Sequence, residues 1–383
     1  MKILFVGTVQ QGQTSRMRMQ VLREFGHDVE ALDSFERWSS VSRASRIAQQ
    51  WSCRGVVIEG LNRDFVAAVE RLRPDLVWAE KQQYLRPESL KRARSLGAKL
   101  VHYTPDPYFT LAWKRTSLAD AAMPLYDTLI TSKRYELEQY RALGKPVIYM
   151  PLGFGDEDHR PLSPASRNDA DRFASDVSFL GGWEPRRESM LSQLAESVDC
   201  DLKFWGYGWE HVRDGRVTPQ RWATLRRNAG GVRFSIRRNK SLARAYQGGE
   251  LYAAEYAYAL SGSRISIGFL RQICPDQHTT RTFEIPACGS MLLADRTEEH
   301  LDMFEEGVEA EFFGSSAELI DKVRFYLARE DLRMRVALAG FRRCHDSGYS
   351  YSARLRVAIR ALGIVRAPSV FAAQRRTGTA ISQ

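Results

Sequence analysis

Cysteine and histidine are scarce in this chain of 383 residues, and their scatter excludes whole classes of chemistry. The five cysteines, Cys53, Cys200, Cys274, Cys288 and Cys344, include no CxxC pair, and an odd, dispersed set does not build the disulfide framework of a small secreted domain. Reduced thiols in a cytoplasmic compartment are the expectation. The seven histidines show no HExxH or other clustered spacing, so no protein-bound metal is expected. No apolar stretch approaches the roughly 20 residues that span a bilayer, and the short apolar run within Met1–Gly7 reads as a buried first strand rather than a signal peptide. A GxGxxG fingerprint is missing too: Gly7 and Gly12 in the run GTVQQGQTS do not make one, which argues against a dinucleotide cofactor.

What is present is an ordinary globular composition, 44% apolar and 27% charged, on a chain too long for one hydrophobic core. Two domains follow. Acidic residues are outnumbered, giving a net charge of +10, and the excess is uneven. Residues Glu210 to Glu250 hold ten Lys and Arg against three acidic residues. Such a segment is either a solvated face or a patch for a polyanion: an anionic glycan, a lipid headgroup or nucleic acid.

Short apolar runs recur at Ile3–Val6, Leu76–Ala79, Leu100–Tyr103, Thr128–Ile130 and Val147–Met150, each followed by a polar or glycine-bearing turn. They read as strands of a parallel sheet, buried on both faces. Helical spacing fills the intervals at Ser15–Phe25, Phe65–Leu72, Pro87–Leu96 and Tyr135–Leu143, which implies right-handed βαβ units. A stretch rich in Pro, Gly, Asp and Ser follows Pro151 and reads as a linker or long loop through about Ser175. The alternation then restarts, with strands at Val177–Leu180, Leu202–Trp205, Ile265–Phe269, Met291–Ala294 and Glu311–Phe313, and helices at Glu188–Val198, Leu251–Leu260, Ala317–Leu327 and Leu332–Cys344. The expected organisation is an N-terminal Rossmann-like domain (1–160), a linker (161–175), a second Rossmann-like domain (176–350), a helix (351–365) and a disordered tail (366–383). Two such domains place a cleft between the carboxyl ends of their sheets.

Several turns at that cleft carry polar or glycine residues. Gly12, Gln13 and Thr14 precede a helix and form either an acceptor-side wall or a plain structural turn. In HYTPDP, Asp106 is placed to take a proton from an acceptor hydroxyl, with His102 as a second candidate, although prolines flanking an aspartate also describe an ordinary turn. Gly181 and Gly182, followed by Arg187 at a helix start, suit a diphosphate. Gly206 and Tyr207 end another strand, where an aromatic face can stack on a base or sugar or simply pack. In DQHTTRTFEIPACG, the polar run His278, Thr279, Thr280 and Arg281 leads a short helix whose one carboxylate, Glu284, sits among apolar residues. Glu284 there can accept two ribose hydroxyls, with Arg281 toward the diphosphate, or the run can serve helix capping alone.

The run DQHTTRTFEIPACGSMLLADRTEEHLDMFEEGVEAEFF, with SSAELIDKVRFYLAREDLRMRVALAGFRRC and SGYSYSARL, resembles the C-terminal domain of CgeB-like glycosyltransferases, relatives of GT4-type enzymes. The similarity spans about Asp176 to Leu355, where DVSFLGGWEPRRESML and SGSRISIGFL fit the same pattern. MKILFVG, RPDLVWAE, YTPDP and YDTLITSKRYE extend it more loosely into the first half. The resemblance implies the GT-B fold, two Rossmann-like, doubly wound parallel-sheet domains facing a central cleft. It also implies a nucleotide-sugar donor as co-substrate, no cofactor and metal-independent transfer. In GT4-like enzymes two acidic residues separated by seven positions contact the donor, the later on the ribose and the earlier near the sugar, and Asp276 and Glu284 have that separation. The earlier one is Asp here, with a shorter reach.

The resemblance favours retention of configuration; inversion with Asp106 as base is the alternative. The acceptor hydroxyl is not named by the sequence: an anionic glycan, a lipid-linked glycan, a protein or a small metabolite all remain open, and the basic surface allows peripheral contact with the inner face of the membrane. The rival readings are a nucleotide-sugar epimerase of the same architecture and a non-catalytic binder of nucleotide-sugar, polyanion or nucleic acid, the last disfavoured.

Overall fold

The computed structural model describes residues 1–111, 115–214 and 240–363. Most of the basic stretch between Glu210 and Glu250, and the tail 366–383, lie outside the described residues. Twelve strands form two parallel sheets among the described residues. The first comprises β1 (Lys2–Gly7), β2 (Asp28–Asp33), β3 (Leu76–Glu80), β4 (Lys99–Thr104), β5 (Thr128–Thr131) and β6 (Val147–Tyr149), in the order β2-β1-β3-β4-β5-β6. The second comprises β7 (Ser175–Leu180), β8 (Leu202–Trp205), β9 (Tyr246–Gly248), β10 (Ser263–Gly268), β11 (Met291–Asp295) and β12 (Glu311–Phe313), in the order β12-β11-β10-β7-β8-β9. The chain reverses its direction of strand addition between β1 and β3 in one sheet and between β7 and β10 in the other. These are the two points where open α/β sheets leave a crevice for ligands.

The strands form where apolar residues run without interruption, because both sheet faces are covered. Along β1, Leu4 and Val6 face one core with Leu61, Phe65 and Val77, while Ile3 and Phe5 face another with Leu22, Trp78 and Leu355. In the second domain Val177, Phe179, Ile265 and Ile267 pack under Leu191, Leu194 and Val323, and the opposite face holds Leu180, Phe283 and Leu292. Two edge strands escape the sequence reading. In β2 (DVEALD) only Val29 is buried, and β9 is three residues long. The stretch read as a linker is also more ordered than expected, since Arg167–Phe173 is a helix capped by Ser166, whose hydroxyl accepts from the Asp169 amide at 3.0 Å.

The last described helix, Tyr351–Ala361, leaves the second domain and packs on the helix Thr14–Glu24 of the first, with Leu355, Ala358 and Ile359 completing the core around Ile3 and Phe5. Between these helices lies a fully buried ion pair, Arg18 with Glu80. The Arg18 guanidinium sits 4.9 Å from the ring centre of Tyr103 and 4.7 Å from that of Tyr351. Aromatic faces on both sides and a carboxylate at the edge offset the cost of burying the charge.

Candidate functional site

A cavity of about 160 Å³ opens between the domains at the carboxyl ends of the two sheets. Its first-domain wall includes Gly12, Thr14 and Met17, and its second-domain wall includes Gly181, Gly206, Tyr256, Thr280, Arg281 and Glu284. Asp158 and His159 close it from the stretch joining the two sheets.

The glycines are there for close approach. Gly206 has φ +153°, and a Cβ on it would lie 2.0 Å from the Gly181 carbonyl oxygen. A Cβ on Gly182 would lie 2.5 Å from the Tyr207 ring. The turns after β7 and β8 are thus pressed together, fixed by Gly181 N–H donating to Trp205 O at 2.9 Å and Trp183 N–H to Tyr207 O at 3.0 Å. On the other wall Gly12, at φ +80°, lies against Tyr252 of the second domain, so the two halves touch at the cavity rim.

Glu284 is 4% exposed and faces the cavity from the seven-residue helix Arg281–Ala287. The Tyr256 hydroxyl donates to its Oε2 at 2.5 Å, and His159 Nε2 lies 3.6 Å from its Oε1. Because the Gly155 amide donates to His159 Nδ1 at 2.9 Å, that nitrogen carries the lone pair, and Nε2–H points to the glutamate. Arg281 Nε donates to the Leu180 carbonyl at 3.1 Å, which anchors the side chain beside the glycine turn. Arg187 is buried beneath the same turn and donates to the carbonyls of Gly182 at 2.8 Å and Leu270 at 3.3 Å, while its Nε has no partner. Burial lowers the Arg187 guanidinium to about 10; Glu184 opposes that shift, and the positive charges of Arg281 and Arg271 add to it. Arg281 and Arg271 lowering a buried Arg187 beside a glycine turn mark a local positive field suited to a polyanionic group such as a diphosphate.

The remaining sequence candidates fall elsewhere. Asp276 does not line the cavity; it bridges the domains, paired with Lys133 Nζ at 2.6 Å and accepting from the Tyr135 hydroxyl at 2.8 Å. His278 is buried between the domains, where its Nε2 accepts from the Leu152 amide at 3.2 Å and its Nδ1 bonds Glu299. Burial, against the pull of Glu299, lowers its pKa, in keeping with a neutral ring. The Thr279 amide donates to the Thr282 hydroxyl at 3.1 Å, and Gln13 serves as the residue before the helix Thr14–Glu24. His102 is a core residue: its Nε2 donates to the Gln82 carbonyl at 3.2 Å, its ring lies 5.0 Å from that of Tyr126, and burial lowers it to about 4. Asp106 lies past the end of β4 beside Lys81, at 3.7 Å, and is not among the residues lining the cavity. Tyr207 is exposed and is not among the residues lining the cavity.

Sequence reading missed Asp158, His159, Glu250, Tyr252 and Tyr256 in the cavity wall. The one available signal was the charged cluster DEDH set between prolines and glycines, which loops use for function as readily as for linkage.

Residues 186–360 match the family described as "Glycosyl transferase-like". No curated protein matches the chain in sequence. Among solved structures, an α-glucosyltransferase in complex with UDP and a 13-mer DNA aligns with a TM-score of 0.62 at 10% identity, over 95% of this chain and 99% of that one. HepE of Anabaena in complex with UDP-glucose aligns with a TM-score of 0.59 at 12% identity, over 95% and 100% of the two chains. A putative UDP-N-acetylglucosamine 2-epimerase from Listeria monocytogenes aligns with a TM-score of 0.56 at 11% identity, over 95% and 97%. With its two six-stranded parallel sheets, this chain has the GT-B fold, and residues 186–360 of its second half are similar to the glycosyl transferase-like family.

Proposed function

We propose that this chain is a CgeB-like glycosyltransferase that moves a sugar from a nucleoside diphosphate sugar to an acceptor hydroxyl, without a metal. The observation that carries the reading is the convergence of Glu284, Arg281 and the glycine turns at Gly181 and Gly206 on one cavity at the β7/β10 crevice, facing Gly12 and Thr14 across the cleft. In this reading the second domain binds the donor. Glu284 accepts the ribose hydroxyls, and Arg281 with Arg187 beneath the turn stabilises the departing diphosphate as the glycosidic bond breaks. The first domain, through Gly12 and Thr14, presents the acceptor. His159 holds the Glu284 carboxylate in place, so it is a positioning residue.

A thermal-shift screen against UDP-, GDP-, dTDP- and ADP-sugars tests the donor site, because a ligand at about 100 times its dissociation constant adds about 2.7 kcal/mol of stability. Stabilisation by one donor, followed by release of its nucleoside diphosphate when extracts of glycans or lipids are added, is the expected result. Absence of stabilisation by every nucleotide sugar would refute the reading. The epimerase reading, favoured only by the shared fold, separates from it by the product: a rearranged free nucleotide sugar without any transfer.

A further inference from the structure

The helix Arg43–Ser52 has the amphipathic spacing of a packed helix, yet Gln49 is its one buried residue. Arg43, Ile47 and Trp51 stand four apart and so share a face. Ile47 is 56% exposed, Trp51 is 89% exposed, and Val56 just beyond is 73% exposed. A helix of ten residues is marginal in water unless an apolar face is covered. Here the attachment to the domain is polar instead. Gln49 Oε1 accepts from the Val57 amide at 2.9 Å, its Nε2 donates to the Ser45 hydroxyl at 2.9 Å, and Ser42 caps the first turn. The apolar face is left pointing outward.

Charge says what kind of surface fits it. From Val41 to Val56 the sequence contains Arg43, Arg46 and Arg54 and no acidic residue. None of the three arginines has an ion-pair partner among the described residues, whereas two acidic side chains on the following helix are engaged elsewhere: Glu59 with Arg86 and Asp64 with Arg37. A tryptophan and branched aliphatic residues set among unpaired arginines match the boundary between anionic headgroups and acyl chains. Position adds a consequence. The segment follows the carboxyl end of β2, and Gln82 Nε2 reaches both the Val6 carbonyl at 3.4 Å and the Ser34 hydroxyl at 3.3 Å. Ser34, where the chain leaves β2, therefore stands at the same edge of the first sheet as Gly12 and Thr14, and the segment follows it in the connection from β2 to the helix Val56–Leu72.

We propose that Ile47, Trp51 and Val56, with Arg43, Arg46 and Arg54, dock the first domain on an anionic lipid bilayer. The acceptor of the proposed transfer is then a molecule held at the membrane surface. This last step rests on the transferase reading; the docking itself does not.

The test is co-sedimentation of the full chain with vesicles of phosphatidylcholine alone or mixed with phosphatidylglycerol. The wild type is expected to partition onto the mixed vesicles in a salt-sensitive way. The triple variant Arg43→Gln, Arg46→Gln, Arg54→Gln should lose on the order of a hundredfold in partitioning. The pair Ile47→Ser, Trp51→Ser should lose at least about tenfold, since it removes the inserted apolar area. Val357→Ser, an exposed apolar residue on another helix, should change nothing. Circular dichroism checks that each variant is folded. The docking is overturned if the wild type ignores anionic vesicles, or if the folded variants bind as it does. It is equally overturned if ultracentrifugation shows that the same substitutions split a dimer while lipid is ignored, which makes the face an interface between copies. Donor-induced thermal shifts on the same samples keep the two readings apart: donors that stabilise a chain blind to vesicles leave transfer standing and remove docking, and the reverse result removes transfer alone.

Discussion

Replacing Glu284 by Gln changes one oxygen for an amide of nearly the same shape, so the effect on donor binding can be worked from the bonds present. A carboxylate offers about four lone-pair positions. Two are committed here, to the Tyr256 hydroxyl at 2.5 Å and toward His159 Nε2 at 3.6 Å. Two remain toward the cavity, the number needed for the two hydroxyls of a ribose. A hydrogen bond to a charged group contributes about 1.5–3 kcal/mol, against about 0.5–1.5 for a neutral one. The glutamine keeps the Tyr256 bond through its oxygen, but its NH2 then stands where Oε1 faced the His159 Nε2–H and offers the ribose a donor, which weakens what is left. The net loss is about 2–3 kcal/mol, a rise in Kd of about 30- to 150-fold. Isothermal titration with the donor found by thermal shift measures it, beside circular dichroism to show an unchanged fold. Unchanged affinity in a folded Glu284→Gln protein would remove Glu284 from the donor site and with it the main support for the proposed function.

Transfer should survive EDTA, because no three His, Cys, Asp or Glu side chains gather among the described residues to hold an ion; loss on chelation reversed by Mn²⁺ or Mg²⁺ would refute this. Lys133→Met should lower unfolding stability by about 3–5 kcal/mol, since it strands Asp276, whose side chain is 8% exposed, without its cation. Urea midpoints check it, and a change within about 0.5 kcal/mol would mean that the pair is dispensable. Stability should also fall in acid on account of His102, lowered from 6.5 to about 4 by burial. Between those values the unfolded chain binds a proton that the folded chain does not, so stability is intact above the unfolded pKa and falls as pH drops toward the folded one, by about 3 kcal/mol in all. His102→Phe should flatten that part of the profile, and parallel urea profiles for variant and wild type would contradict it.

Why some of this was readable in sequence and some was not follows from the physics of each element. Strands such as β3 (LVWAE) and β11 (MLLAD) are buried throughout, and each runs apolar for four residues before a carboxylate paired with an arginine at its carboxyl end, so the apolar run announces the strand. The edge strand β2 keeps one side in water and has only Val29 inside, which leaves no run to see. The glycines at Gly181 and Gly206 stood out in sequence as strand-end turns that could admit a ligand, but that the two turns press on each other, so that a Cβ on Gly206 would meet the Gly181 carbonyl oxygen, shows only in three dimensions. The cavity wall at His159 and Tyr256 was not. Each is defined by what it meets in three dimensions: His159 meets a glutamate 125 positions away, and Tyr256 meets the same glutamate from another helix. His102 shows the opposite error. A histidine at a strand end is chemically suggestive, but its position on the strand turns it into the core against Tyr126 rather than toward the cleft.

The segment Asp276–Glu284 now has two jobs divided along its length. Its first half belongs to the domain interface, through the Asp276 pair with Lys133 and the His278 bond from the Leu152 amide. Its second half, Thr280, Arg281 and Glu284, belongs to the cavity. Nine residues are too few to insulate one end from the other when the later part is a helix fixed by Arg281 to the Leu180 carbonyl and by Glu284 to Tyr256. A ligand that pulls on Glu284 and Arg281 therefore acts on the same stretch of backbone that carries contacts between the domains. Any shift it causes is limited by its differential affinity for the two arrangements. The shorter aspartate at the head of the segment fits this division. An acidic group reaching for the sugar would gain from the extra methylene of glutamate, whereas one clamped between Lys133 and Tyr135 of the other domain, with the Cys274 thiol at 3.2 Å, is already satisfied at the length it has.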